Sequence, residues 1–71
     1  MRYMVVVEEG ATSFGAYVPD LPGCGVVGES RDEVLTLIRE AIELHLEGLG
    51  EQGQPVPQPH STSVLVDVQA A

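Results

Sequence analysis

Few side chains in this chain could do chemistry: the carboxylates Glu8, Asp20 and Asp67, the thiol of Cys24 and the imidazole of His45. Metal-assisted hydrolysis of a phosphodiester needs several carboxylates converging on a divalent cation from core strands. Glu8 and Asp67 fall at the ends of apolar runs and Asp20 falls in a turn, so nuclease chemistry is not expected, nor any metal or other cofactor. Cys24 lies between two glycines, which leaves a thiol enzyme as one reading. A reactive thiolate, however, requires a neighbouring cation or a helix N-terminus to lower its pKa. Only Arg31 and the start of a helix are near in sequence, so Cys24 reads as a small buried hydrophobe. His45 projects near the centre of an apolar helical arc, one turn beyond Ala41. With no evident second polar group beside it, it reads as a packed core or interface histidine whose nitrogens find ordinary partners. No residue is assigned a catalytic role, and the protein is not expected to be an enzyme.

The stretch Val18-Pro19-Asp20-Leu21-Pro22-Gly23-Cys24-Gly25 organises everything around it. Each proline fixes φ and lacks an N–H, so neither fits inside a helix or a paired strand. Asp20 and Gly23 tolerate turn geometry. The stretch is a rigid corner, which serves either as a contact surface or as a stiff turn that sets strand register.

Before the corner, Arg2 to Glu8 alternates Tyr3, Val5 and Val7 against Met4 and Val6, which predicts a strand with both faces apolar. Glu9 to Thr12 is a short turn, and Ser13 to Val18 is a second strand carrying Phe14, Ala16 and Val18 on one face and Tyr17 on the other, antiparallel to the first. A third strand spans Cys24 to Gly28. Ser30 followed by Glu33 is a capping box, so a helix begins at Arg31. Val34, Leu35, Leu37, Ile38, Ala41, Ile42, Leu44, Leu46 and Leu49 fall on one broad side of it, which predicts a helix to about Gly48, ended by Gly48 and Gly50. Glu40, Glu43 and Glu47 belong to the opposite, solvated face. Pro55, Pro57 and Pro59 then form a stiff extended spacer. Val64 to Val68 is predicted as a last strand, returning parallel to the first by the right-handed crossover rule. The architecture is therefore α+β in the order β-β-β-α-β, one helix packed on a small, mostly antiparallel sheet, with residues 1–71 forming a single domain.

The chain has 71 residues and one cysteine, so no internal disulfide staples it. A domain this small buries only about 60% of the surface its unfolded chain exposes, and self-association is the remaining route to a larger core. A homo-oligomer, dimer or higher, follows from size, and the unusually wide apolar arc of the helix agrees with it. The net charge is −8, with 11 acidic residues against 3 arginines and no lysine. Nucleic-acid binding depends on Lys and Arg neutralising phosphates, so direct binding to DNA or RNA is not expected. An acidic surface suits a basic protein partner. No run approaches the ~20 apolar residues of a membrane span, and no leader pattern is evident, so a cytoplasmic location is expected.

Tyr17-Val18-Pro19-Asp20-Leu21-Pro22-Gly23-Cys24, then Gly28, the helix opening Ser30 to Glu33, the segment Glu40 to Glu47, and Gly53, Pro55, Pro57 and Pro59 together resemble the HicB-like antitoxin family, over roughly Tyr3 to Val68. The resemblance implies a partial RNase H-like fold. It also implies a non-enzymatic module that binds and blocks a small basic mRNA-cleaving toxin, HicA, whose double-stranded-RNA-binding-like fold carries a catalytic histidine. Many family members add a C-terminal DNA-binding domain, and none is expected here. The candidate partner-binding residues are Asp20, Leu21, Pro22 and Gly23 of the corner and Glu40, Glu43 and Glu47 of the helix. The alternative is a solitary oligomer that binds another protein or a small ligand and has no toxin partner.

Overall fold

Alternation of apolar residues builds a three-stranded sheet and the capped amphipathic segment builds one helix on it. The computed structural model describes residues 1–70 and contains β1 (Val6–Glu9), β2 (Phe14–Tyr17), β3 (Gly25–Gly28) and α1 (Arg31–Glu51). The strands are antiparallel in the order β1-β2-β3, with Val6 opposite Tyr17 and Phe14 opposite Gly28. A tight turn, in which the Gly10 N–H donates to the Ser13 carbonyl at 2.8 Å, joins β1 to β2.

The expected faces are observed. Ala16, Val18, Leu21, Cys24, Val34 and Ile38 form the buried core, and Tyr3, Val5, Val7, Phe14 and Val26 pack against it from the sheet side. On the opposite face Tyr17 and Val27 are exposed. The core is therefore a single layer between one sheet face and α1, which is what a chain of this length can close.

β1 is shorter than the predicted Arg2–Glu8 strand because its partner runs out. Tyr17 pairs with Val6, and β2 then turns into the proline corner, so Tyr3, Met4 and Val5 have no neighbour on β2. They remain half-buried without belonging to a ladder.

α1 starts where the capping box places it. The Ser30 hydroxyl accepts from the Glu33 N–H at 3.1 Å, and Asp32 and Glu33 occupy the first turn, next to the positive end of the helix dipole. Its C-terminus lies beyond the predicted stop. Gly48 and Gly50 are helical, and the chain turns at Gly53, whose φ is +68°. The Gln54 N–H donates to the Leu49 carbonyl at 2.9 Å and the Gly53 N–H to the Gly50 carbonyl at 3.1 Å, the paired bonds of a Schellman ending. Glycine permits such an ending without forcing it, and of these glycines only Gly53 adopts the left-handed conformation that stops the helix.

The predicted fourth strand does not form in the single chain. Val64 to Val68 lie outside any helix or strand and are exposed, so the structure shows an α+β fold of three antiparallel strands followed by one long helix and an arm. The physical reason is that no neighbouring backbone of the same chain pairs with it.

Candidate partner-binding site

The proline corner is two consecutive turns that share Leu21. The Leu21 N–H donates to the Val18 carbonyl and the Cys24 N–H to the Leu21 carbonyl, each at 3.1 Å, and the Val18 N–H closes the corner on the Cys24 carbonyl at 3.1 Å. Pro19 and Pro22 each take the second position of a turn, where a fixed φ is wanted and no N–H is needed. Gly23 takes the third position of the second turn with φ +83°, a conformation that requires glycine there. The residue types thus suit the two turns locally.

The two turns bury one pair of residues and expose the next. Leu21 is 0% exposed and sits in the core against Val34 and Ile38, while Pro22 and Gly23 face solvent. Asp20 is also buried, and its carboxylate is fully engaged. Oδ2 accepts from the His60 N–H and the Ser61 N–H, both at 2.9 Å, and Oδ1 accepts from the Ser61 hydroxyl at 2.6 Å. The imidazole Nε2 of His60 lies 3.2 Å from Oδ1. The Ser61 hydroxyl and N–H, followed by the His60 N–H and the nearby imidazole, stabilise the ionised carboxylate against the cost of burial and lower the Asp20 pKa from 3.8 to about 2.

This clasp ties the segment after the prolines to the β2–β3 corner. Three residues earlier, the Tyr3 hydroxyl donates to the Pro57 carbonyl. Neither contact was legible in the sequence, because the partners of Asp20 lie 40 and 41 residues away and no local pattern links them.

Of the candidate contact residues, Asp20 and Leu21 therefore serve internal roles, and the corner presents Pro22 and Gly23 to solvent. Glu40, Glu43 and Glu47 are all exposed on α1, at spacings of three and four residues that align them in one stripe. Leu44, 68% exposed, and half-buried His45 lie beside the stripe. The structure does not join the corner and the glutamates into one constellation; they are separate patches. Among the described residues, no group of three or more His, Cys, Asp or Glu side chains converges as a metal site would require, and no helix is long and apolar enough to cross a membrane.

Cys24 is buried and its thiol pKa is raised by desolvation. Little thiolate is present at neutral pH, so stoichiometric labelling by a maleimide should be at least about tenfold slower in native protein than in denaturant. Labelling at the denatured rate would show that the corner opens on the reagent's timescale.

Comparison with known proteins places this geometry. Residues 3–70 match a family model described as the HicB_like antitoxin of bacterial toxin–antitoxin systems. A UPF0150 protein of Thermoplasma acidophilum is 30% identical over 67 residues, covering 93% of this chain and 97% of its relative. An uncharacterised 14.9 kDa protein of Haemophilus phage HP1 is 33% identical over 58 residues; that match covers 82% of this chain and only 44% of the phage protein. Among solved structures, the N-terminal domain of the Burkholderia pseudomallei antitoxin HicB superposes with a TM-score of 0.71 at 37% identity, covering 82% of this chain and 69% of that one. A chain of a HicA3 and HicB3 toxin–antitoxin complex superposes with a TM-score of 0.67 at 27% identity, covering 83% and 72% respectively.

Proposed function

Because the chain belongs to the HicB-like antitoxin family of bacterial toxin–antitoxin systems, we propose that it is a non-enzymatic binding module that docks on a small basic mRNA-cleaving toxin of the HicA type and blocks it. The observation that carries this reading is the likeness to a chain from a HicA3 and HicB3 toxin–antitoxin complex, at 27% identity and a TM-score of 0.67. The charge distribution supports it. A chain of net charge −8 presents Glu40, Glu43 and Glu47 as an exposed acidic stripe on a rigid helix, a surface complementary to a basic partner. Pro22 and Gly23 offer a second, uncharged contact on the corner. The finer description of the fold, a partial RNase H-like β-β-β-α-β unit, belongs to this proposal, since it requires the arm to pair as a strand.

Opposite charges attract over about a Debye length, roughly 10 Å at 0.1 M salt, so the association rate with a HicA-type toxin falls as salt rises. Reversing Glu40, Glu43 and Glu47 together to lysine lowers that rate by roughly tenfold or more at low salt, with a smaller change in the dissociation rate. Stopped-flow association across a salt series measures both. Binding that ignores salt and the triple reversal would remove the acidic stripe from the interface. Absence of binding to any HicA-type protein would favour the solitary oligomer.

A further inference from the structure

The arm after the clasp is built as a strand and has nothing to pair with. Val64, Val66 and Val68 alternate with Leu65 and Asp67, and the β-branched residues favour extended structure. Yet Val64, Leu65, Val66 and Val68 are 78%, 101%, 73% and 82% exposed. Contiguous apolar surface of this kind marks an interaction site. The protein's extents of 51 × 27 × 16 Å are those of a small body with a projecting arm.

The complementary feature lies on the same molecule. β1 is an edge strand, and ahead of it Tyr3 to Val5 lie half-buried with no ladder partner. A groove runs between α1 and this segment ahead of β1, with apolar walls from Tyr3, Val5, Ile42 and Leu46. Arg2 and Arg39 stand at this groove. They are two of only 3 Lys or Arg residues in the chain, and among the described residues neither has a carboxylate within ion-pair distance, although Glu43 also lines the groove. From Ser61 to Ala70 the arm carries a single charge, the carboxylate of Asp67. An apolar strand with one negative charge thus meets an apolar groove whose lining carries two arginines and one glutamate, positive on balance.

The arm does not line the groove of its own chain. Asp20 fixes His60 and Ser61 at the β2–β3 corner, and beyond them Val64 to Val68 pair with no strand of the same chain. The outer edge of β3 is a poorer acceptor: the depression at its end of the sheet is lined by corner residues, including Pro19, Pro22, Gly23 and Gly25, and offers no arginine.

We propose that the arm of one protomer adds as a fourth strand to the open β1 edge of a second copy, seating its valines in the groove and Asp67 near Arg2 and Arg39, with the exchange made reciprocally. Strand addition satisfies the unpaired backbone of both edges and covers both apolar surfaces at once. Reciprocal exchange closes with two-fold symmetry, so the assembly stops at a dimer through this contact. The inference stands independently of toxin binding.

The test uses the whole chain with Cys24→Ala to remove the native thiol. Arg39→Cys and Asp67→Cys are introduced together, both at exposed positions, and the protein is oxidised mildly. A disulfide-linked dimer on a non-reducing gel is the expected result. A monomer with an internal disulfide would show pairing within one chain and overturn the proposal, as would absence of cross-linking. In otherwise native protein, Val64→Asp with Val66→Asp raises the dimer dissociation constant by at least about a hundredfold, from the loss of two buried valines. The helical circular dichroism is unchanged, since both positions are exposed within the single chain. Asp67→Arg weakens the dimer, and Arg39→Asp in the same protein restores it. A dimer indifferent to these changes, or a monomeric native protein by light scattering at micromolar concentration, would also overturn the exchange.

Discussion

Leu21→Ala leaves most of the protein unfolded or close to it. Leu21 is 0% exposed, and the two turns of the corner deliver it into the core beside Val34, itself 0% exposed, and Ile38. Truncating a buried leucine to alanine costs about 2–5 kcal/mol, the lost transfer energy plus the cavity left behind. Among the described residues the core has six buried apolar members, so little surrounding structure can relax into that cavity. Native domains carry roughly 0.05–0.15 kcal/mol per residue, so over 71 residues the loss removes a large share of the total. Thermal denaturation followed by circular dichroism should show Tm lowered by more than about 10 °C. Pro22→Ala is the control. Pro22 is exposed in the same corner, and its removal costs about 0.4–1 kcal/mol, mainly through the freer unfolded chain. Equal effects from the two substitutions would mean that Leu21 does not anchor the core.

Acid releases the arm from the corner. The folded pKa of Asp20 is about 2, below its ordinary 3.8, because the ionised carboxylate is the form that accepts from Ser61 and His60. A depressed carboxylate pKa stabilises the folded state above the unfolded value, and that contribution is lost as pH falls through the folded one. The clasp is therefore whole above about pH 4–5 and opens progressively as pH falls from 3.8 towards 2. Amide hydrogen exchange at His60 and Ser61 reports it directly, since both N–H groups donate to Oδ2. Asp20→Ala removes the acceptor, and both amides lose protection at every pH. Asp20→Asn behaves differently. Its carbonyl oxygen still accepts from the two N–H groups, and its amide donates to the Ser61 hydroxyl, which is able to accept. The bonds are weaker without charge, but the acid transition disappears. Persistence of that transition in Asp20→Asn would assign it to another group.

The sequence was most informative where the reasons for structure are local. Alternation of Val5 and Val7 against Met4 and Val6, and of Phe14 and Ala16 against Tyr17, assigned the buried sheet face correctly. Ser30 and Glu33 placed the helix start to the residue, because a cap is formed by neighbours in sequence. The exposed glutamates followed from helical periodicity in the same way. The helix end was less legible, since Gly48, Gly50 and Gly53 are all able to terminate a helix and the choice rests on which one turns left-handed.

The composition of Pro19-Asp20-Leu21-Pro22-Gly23 by itself determined a rigid corner, because fixed φ at two prolines and a positive φ at Gly23 are properties of those residues alone. It did not determine which side each residue faces. Only the tertiary structure sent Leu21 into the core and bound Asp20 to His60 and Ser61, contacts 40 and 41 residues apart for which the chain carries no local signal. The fate of Val64 to Val68 was not local either. Their β propensity was plain in the sequence, but a strand exists only where a neighbouring backbone supplies its hydrogen bonds, and no strand of the same chain pairs with this one.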